Sequence, residues 1–482
     1  LGRPRRFGKS LFLSTLKAYF LGKKELFEGL AIAELEKEWI EYPVLYIDFN
    51  VESYTDLTSL HVALDTNLRN MEQQWGKDEA DTTPASRLIG LINRASAKTG
   101  RKVVVLIDEY DKPLVNTLDN EDLNQSIRDV LRGFYGVLKS ADANLRFVFL
   151  TGVTKFSKVS IFSDLNHLTD ISMDNDFSGI CGISETELIQ YFQPEIKQLA
   201  EENRFTYEET LAELKKHYDG YHFAKKSEDI YNPYSVLNTF YHRDISDYWF
   251  ETGTPTFLVK MLKKVNYNIP NLEDGVVIAA KSIADYKIGE YNPIPLLYQS
   301  GYLTIKQYNR EYDEYMLGFP NEEVKYGFLD NLLPIYAPEY GLQQEFSAAS
   351  FVKKLRAGDV DGFMSNMRAF YASISYELIG NKDKDERYYQ FIFYLLITLM
   401  GQFVQAEVKT SAGRADAVIK TADTIYVFEF KMANRGTAEK ALAQIDSKGY
   451  LIPFTADGRK LVKIGAEFSE KERGISRWEI DN

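Results

Sequence analysis

Gly8-Lys9-Ser10 is the first group of residues in this chain whose types and order could do chemistry. A glycine lets backbone amides approach an anion, and the positive end of the helix-like run Leu11–Phe20 adds to the attraction. Lys9 is placed to reach the outer phosphates of a nucleoside triphosphate, and the Ser10 hydroxyl is a ligand for Mg²⁺. Arg6, Phe7 and Leu11 flank the triplet and complete a candidate nucleotide-binding loop. The general pattern has a further glycine five residues before Gly8, where Arg3 stands here, with Gly2 one place away. The competing reading is an ordinary helix cap, whose backbone chemistry is similar.

A second group begins at Val103-Val104-Val105-Leu106-Ile107, a continuous apolar run that ends in Asp108-Glu109-Tyr110-Asp111. An acid at the end of a buried strand holds Mg²⁺ in a nucleoside triphosphatase, and a second acid polarises the attacking water. Asp108 fits the first role and Glu109 the second. The same acids could merely cap the next element. Read together, the two groups each supply what the other needs. Thr151, at the end of another apolar run, is a candidate γ-phosphate sensor, or a hydroxyl that satisfies a loop amide. Arg146 is a candidate arginine finger.

A third group lies near the other end: Asp416, then Glu429-Phe430-Lys431. Two carboxylates on neighbouring strands could share a divalent cation with a scissile phosphate, Mg²⁺ or Mn²⁺ alike. Side chains alternate along a strand, so Lys431 shares a face with Glu429 and could orient a water or neutralise phosphate. The competing reading is a cross-strand ion pair on a wet face, yet Val427, Phe428 and Phe430 make the strand a largely buried one. Gln444 and Lys448, four apart on the next helix, are candidate phosphate contacts or simply a solvated face. Glu386 is a further candidate carboxylate.

These groups need elements to position them. Pro43–Phe49, Val103–Ile107 and Leu145–Gly152 read as strands, the last two buried, alternating with helices over Leu57–Trp75, Ala85–Thr99 and Gln125–Ser140. Such alternation predicts a parallel sheet wrapped by helices, with ligands at the carboxyl ends of the strands. From about Ile183 the alternation stops. Helices over Glu185–Ala200, with a break at Pro194, over Tyr207–Tyr218 and over Phe257–Lys264 suggest a helical lid. A small hairpin is expected from Gly301–Lys306 and Tyr315–Pro320. Asp219-Gly220-Tyr221 and Asn232-Pro233-Tyr234 are turn signals. The last region reads helix Glu386–Met400, strands Phe403–Val408, Gly413–Ile419 and Thr424–Lys431, then helix Thr437–Tyr450. The boundaries fall at 1–182, 183–345 and 346–482.

The chain has 482 residues, 45% hydrophobic and 26% charged, so it is an ordinary globular composition with room for two or three domains. Its single cysteine, Cys181, excludes an intrachain disulfide framework and fits a cytoplasmic setting. No run of about 18 apolar residues predicts a membrane span. The chain opens at Leu1 with no strand before the loop, so its natural N-terminus is expected to lie further upstream. A net charge of -13 has the wrong sign for a global nucleic-acid footprint, so contact with DNA would need a local patch or bridging metal ions. The 32 tyrosines could stack on bases, but core packing accounts for them as well.

With these motifs in hand, the chain resembles a family. RPRRFGKSL, VVVLIDEYDKPL, FVFLTGVTKFSKVSIFSDLNHLTDIS, YDGYHF and YNPYSVLN are similar to the AAA-ATPase-like proteins of bacteria, which typically carry a C-terminal domain of the PD-(D/E)XK nuclease superfamily. GRADAVIK, VFEFKMA and ALAQIDSKGY resemble that domain's active-site strands and helix. The resemblance implies a P-loop sheet, a lid, and a restriction-endonuclease-like α/β domain. It implies ATP and Mg²⁺ at Lys9, Ser10 and Asp108, with Glu109 as the catalytic glutamate, and nuclease metal chemistry at Asp416, Glu429 and Lys431. The expected activity is ATP hydrolysis coupled to metal-dependent cleavage of DNA, with RNA as the other substrate class and a homo-oligomer as an open expectation. A nucleotide-switched interaction protein that binds without cutting is the alternative.

Overall fold

A computed structural model describes residues 1–153, 168–250, 275–283, 292–337, 344–374, 386–408, 415–469 and 474–481, with single positions between them, the side chains of 335, 386–390 and 407–408 excepted. The chain divides into two compact units, Leu1–Tyr267 with Gly275–Val324, and Asn268–Asp274 with Lys325–Asn482.

The first unit is built on a parallel sheet, β1 (Val44–Asp48), β2 (Val103–Asp108) and β3 (Leu145–Leu150), in that order. Every residue of β2 is buried, as an uninterrupted apolar run requires when both faces are covered. Its alternation sends Val103, Val105 and Ile107 to one side, against α2 (Leu57–Trp75), α3 (Pro84–Thr99) and α4 (Glu121–Ser140). Val104 and Leu106 go to the other, where they meet Leu13 and Phe20 of α1 (Lys9–Phe20). Reciprocal capping boxes start α2 at Asp56 with Ser59 and α3 at Thr83 with Ser86. The run at Leu145 departs from the buried strand expected of it: only Leu150 is fully buried. Beyond β3 the sheet continues, among the described residues, only as a single parallel bridge between Gly2 and Gly152, so most of the strand keeps an outer side.

The alternation does stop after β3. The break expected near Pro194 falls at Phe192, between α5 (Glu185–Tyr191) and α6 (Gln193–Asn203), with Pro194 in the first turn of the second helix. α7 (Tyr207–Tyr218) follows as read. Asn232 is more than a turn residue, since its side chain accepts from the Ser235 amide and caps α8 (Pro233–His242). The expected hairpin gains a third strand: β4 (Val276–Ala279) joins β6 (Glu314–Gly318), which pairs with β5 (Thr304–Asn309). The helix read over Phe257–Lys264 lies outside the described residues, apart from Leu262. The chain passes from the first unit to the second within α9 (Glu322–Tyr336).

In the second unit, α10 (Ala348–Arg356), α11 (Val360–Ser373) and α12 (Glu386–Met400) precede a five-stranded sheet. Its strands are β7 (Gln405–Val408), β8 (Ala417–Lys420), β9 (Thr424–Met432), β10 (Lys460–Ser469) and β11 (Gly474–Asp481), in spatial order β11-β10-β9-β8-β7. The last two strands add to the three that the sequence pattern predicts. β9 and β10 run parallel and are joined through α13 (Ala438–Ser447). That helix can lie close on the sheet because Gly465 has no side chain; a Cβ there would stand 2.3 Å from the Ala438 carbonyl oxygen. β9 sends Ile425 and Val427 toward Ile445 and Tyr450, while Phe428 and Phe430 pack on Phe393 from the other side. Glu429 and Lys431 continue the Ile425–Val427 face.

Candidate active sites

Gly8 sits at the start of α1 with φ +76°, a conformation that glycine adopts without strain, and nothing would lie within 4 Å of a Cβ there. Lys9 is 4% exposed. Its Nζ pairs with Glu109 Oε1 at 3.2 Å and donates to the Pro4 carbonyl at 3.2 Å. Glu109 itself has φ +50°, unusual for a residue with a side chain and costly in backbone energy. Asp108, also buried, accepts from Thr151 Oγ1 at 2.6 Å and from the Tyr46 hydroxyl at 3.5 Å. So the lysine and the two acids of the sequence reading do meet, at the carboxyl end of β2. Asp111 does not join them. Its carboxylate accepts from the Val153 amide and fixes the turn after β3.

The side chains around the loop differ in how far the chain itself engages them. The Ser10 side chain is exposed and makes no hydrogen bond among the described residues, and Leu11 is 71% exposed. The Thr151 hydroxyl is engaged by Asp108 rather than by a loop amide. Phe7 is wholly buried, its ring edge-on to Tyr221 at 4.7 Å and Phe223 at 5.3 Å, so only its backbone is left for a ligand. The Arg6 guanidinium lies over the Tyr234 ring at 4.1 Å and donates to the Tyr248 carbonyl. Arg146 lies 5.7 Å from the centre of the Tyr42 ring.

Arg3, the departure from the loop pattern, is a structural staple. It is 1% exposed and donates to the carbonyls of Gly2, Ser172, Phe177, Ser178 and Ile180 at 2.8–3.2 Å, with Phe223 against its face. Burial lowers its pKa to about 10, still well above neutrality, so the guanidinium stays charged and every donor direction is used.

The C-terminal group gathers as the alternation required. Register pairs Ala417 with Phe428, which sets Asp416, one residue ahead of β8, opposite Glu429 on one face. Asp416 accepts from the Phe430 amide at 2.8 Å. Glu429 is 3% exposed; its Oε1 accepts from Lys431 Nζ at 3.0 Å and from Gln444 Nε2. Its Oε2 is buried with no hydrogen-bond partner among the described residues. Burial raises the Glu429 pKa, opposed by Lys431, by the Asp416 backbone and by Gln444. Gln444 also donates to the Tyr450 hydroxyl at 3.3 Å. Lys448 ends α13, exposed and outside these contacts. The Glu386 side chain and Gly413-Arg414 lie outside the described residues.

An unpartnered buried carboxylate oxygen next to a second carboxylate is the donor set a hard divalent cation takes. Among the described residues no three His, Cys, Asp or Glu groups converge in metal-holding geometry, so water and substrate oxygens would complete the shell. Sequence reading missed Tyr46, Tyr450 and the aromatic residues around the loop. Tyr46 could have been found from alternation with Asp48, which stands in register beside Asp108.

The family model "Predicted AAA-ATPase" matches residues 1–162, and that of the PD-(D/E)XK nuclease superfamily matches 384–478. The chain is 37% identical to the "Uncharacterized protein in vnfD 5'region" of Azotobacter chroococcum mcd 1, over 486 aligned residues covering 100% of this chain and 92% of that one. No solved structure matches it.

Proposed function

Because this chain belongs to the predicted AAA-ATPase family and carries a C-terminal domain of the PD-(D/E)XK nuclease superfamily, we propose that it is an ATPase coupled to a metal-dependent nuclease acting on DNA. The observation that carries the cutting half is the buried, unpartnered Glu429 Oε2 beside Asp416. Asp416 and Glu429 hold the cation, Lys431 neutralises the scissile phosphate, and Gln444 keeps the Glu429 carboxylate in place. A divalent cation there supplies an acidified water and stabilises charge on phosphate oxygens. In the first unit the Gly8 region and Lys9 receive the phosphates, Ser10 and Asp108 hold Mg²⁺, and Glu109 orients the attacking water. We take 1–182, 183–345 and 346–482 as the nucleotide, lid and nuclease parts, in a cytoplasmic protein. Among the described residues no helix is long and apolar enough to cross a membrane.

Plasmid cleavage with Mg²⁺ or Mn²⁺, with and without ATP, tests this in wild type, Lys9→Ala and Glu429→Ala. We expect cleavage to vanish in Glu429→Ala and its ATP response to vanish in Lys9→Ala. Undiminished cleavage by Glu429→Ala refutes the assigned nuclease site. One observation favours a second reading, a nucleotide-switched binder without turnover: the Lys9 ammonium is already neutralised by Glu109. ATP binding with no cleavage of DNA or RNA would select it.

A further inference from the structure

The segment Arg3–Phe7, which leads into the phosphate loop, is gripped from outside. Arg3 is held as described. Pro4 lies so close to Gly301 that a Cβ on that glycine would stand 2.5 Å from the proline ring. The Arg5 guanidinium stacks on Trp249 at 4.4 Å, and the Trp249 indole N–H donates to the Arg5 carbonyl at 3.3 Å. Arg6 and Phe7 are packed by Tyr234, Tyr221 and Phe223. The aromatic partners come from YDGYHF, YNPYSVLN and the segment after α8, which the chemistry above leaves unused.

The grip has a buried centre. Glu323, 1% exposed, accepts from the Ser235 hydroxyl at 2.8 and 3.0 Å and from the Trp249 backbone amide at 2.8 Å. One carboxyl group thus fixes α8 and the tryptophan that carries Arg5. Lys9 leans on the same loop through the Pro4 carbonyl. A triphosphate that draws Lys9 away and reorders the amides of residues 5–8 must disturb the stacking at Trp249 and Tyr234, because these contacts leave the loop no slack.

We propose that Glu323 is a positioning residue for the phosphate loop, and that Trp249 and its neighbours form a clamp that moves with nucleotide occupancy. Through the clamp, the region between the two family matches reads the state of the loop. This rests on the proposed binding of nucleotide at Lys9.

The test uses the full chain with Trp39, Trp75 and Trp478 replaced by Phe, so that Trp249 is the sole indole. MgADP and a non-hydrolysable Mg-ATP analogue are titrated, with calorimetry in parallel. We expect a saturable change in Trp249 emission with the calorimetric Kd. Glu323→Ala should weaken binding by about tenfold, within the range of ordinary site-to-site coupling, and Glu323→Gln, which keeps an acceptor for the Trp249 amide, should restore it. Calorimetric binding with silent Trp249 emission overturns the clamp, and leaves the nucleotide reading intact. No calorimetric binding removes the nucleotide reading and the clamp with it.

Discussion

In the first unit Lys9 and Glu109 neutralise each other at 3.2 Å, and Asp108 is occupied by Thr151. In the second, Glu429 keeps a buried oxygen with no hydrogen-bond partner among the described residues, although Lys431 and Gln444 both engage the other. Both sites set two acids beside a lysine at a sheet, but they stand ready in different ways. The lysine site is closed upon its own charges, and a ligand must displace an internal partner. At the Asp416–Glu429 site the Lys431 pair occupies only Glu429 Oε1, so a cation can approach Oε2 while that pair stays in place. Closed sites suit a switch, because the ligand-free state is itself well bonded. Open ones suit a resident metal ion.

The sharpest way to break this contrast is to neutralise the open site. Glu429→Gln should cut metal-dependent cleavage by more than about 100-fold, the upper range for losing even an outer partner of a metal ligand. It should also abolish calorimetric Mn²⁺ binding. The metal-free chain should not lose stability. Burial holds the Glu429 pKa above its unfolded value, so at neutral pH the ionised group works against folding, and the amide removes that penalty. A large drop in the melting temperature of metal-free Glu429→Gln would mean that the carboxylate is a structural ion pair with Lys431.

The contrast was half legible in the sequence. Apolar runs ending in acids revealed β2 and β9, and strand alternation put Glu429 and Lys431 on one face. The pairing of Asp416 with Glu429 follows from a register that the turn after β8 sets, which pattern alone gave only as neighbouring strands. The role of Arg3 was not legible. It reads as a defect in a loop pattern, and becomes a staple only once five carbonyls from 2 and 172–180 surround it. Likewise YDGYHF and YNPYSVLN gave turn signals because Gly, Asn and Pro act locally, whereas their aromatic side chains act across long sequence separations. The strands β10 and β11 alternate too weakly in polarity for a period-2 reading.

A smaller effect should separate the loop's support from its chemistry. Burial, aided by Asp247 and opposed by the Trp249 amide, Ser235 and Arg6, pushes the Glu323 pKa up to about 8. A carboxyl whose folded pKa is raised contributes most to stability below its unfolded value, about 4.5, and loses that contribution as pH climbs through 8. Glu323→Gln has nothing to titrate. Its stability relative to wild type should therefore rise by a few kcal/mol between about pH 5 and pH 8.5, at up to about 1.4 kcal/mol per pH unit. Denaturant melts across that range give the slope. A flat difference would show that Glu323 is not held protonated by its surroundings.

The finest test concerns the closed site alone. If the Lys9–Glu109 pair is what a nucleotide must displace, Glu109→Gln should tighten MgADP binding, because the charge that competes for the ammonium is gone. ADP is the right probe, since no turnover intervenes. Freeing a mostly buried lysine from one carboxylate should yield about a tenfold lower Kd, or roughly 1.4 kcal/mol. The same change leaves the buried Lys9 ammonium facing neutral acceptors, the Pro4 carbonyl and the amide oxygen introduced at position 109, so the nucleotide-free variant should melt lower than wild type and recover more on adding MgADP. If Glu109→Gln binds MgADP no better than wild type, the pair does not close the site. The two acidic clusters would then differ only in their ligands, and not in how they stand ready.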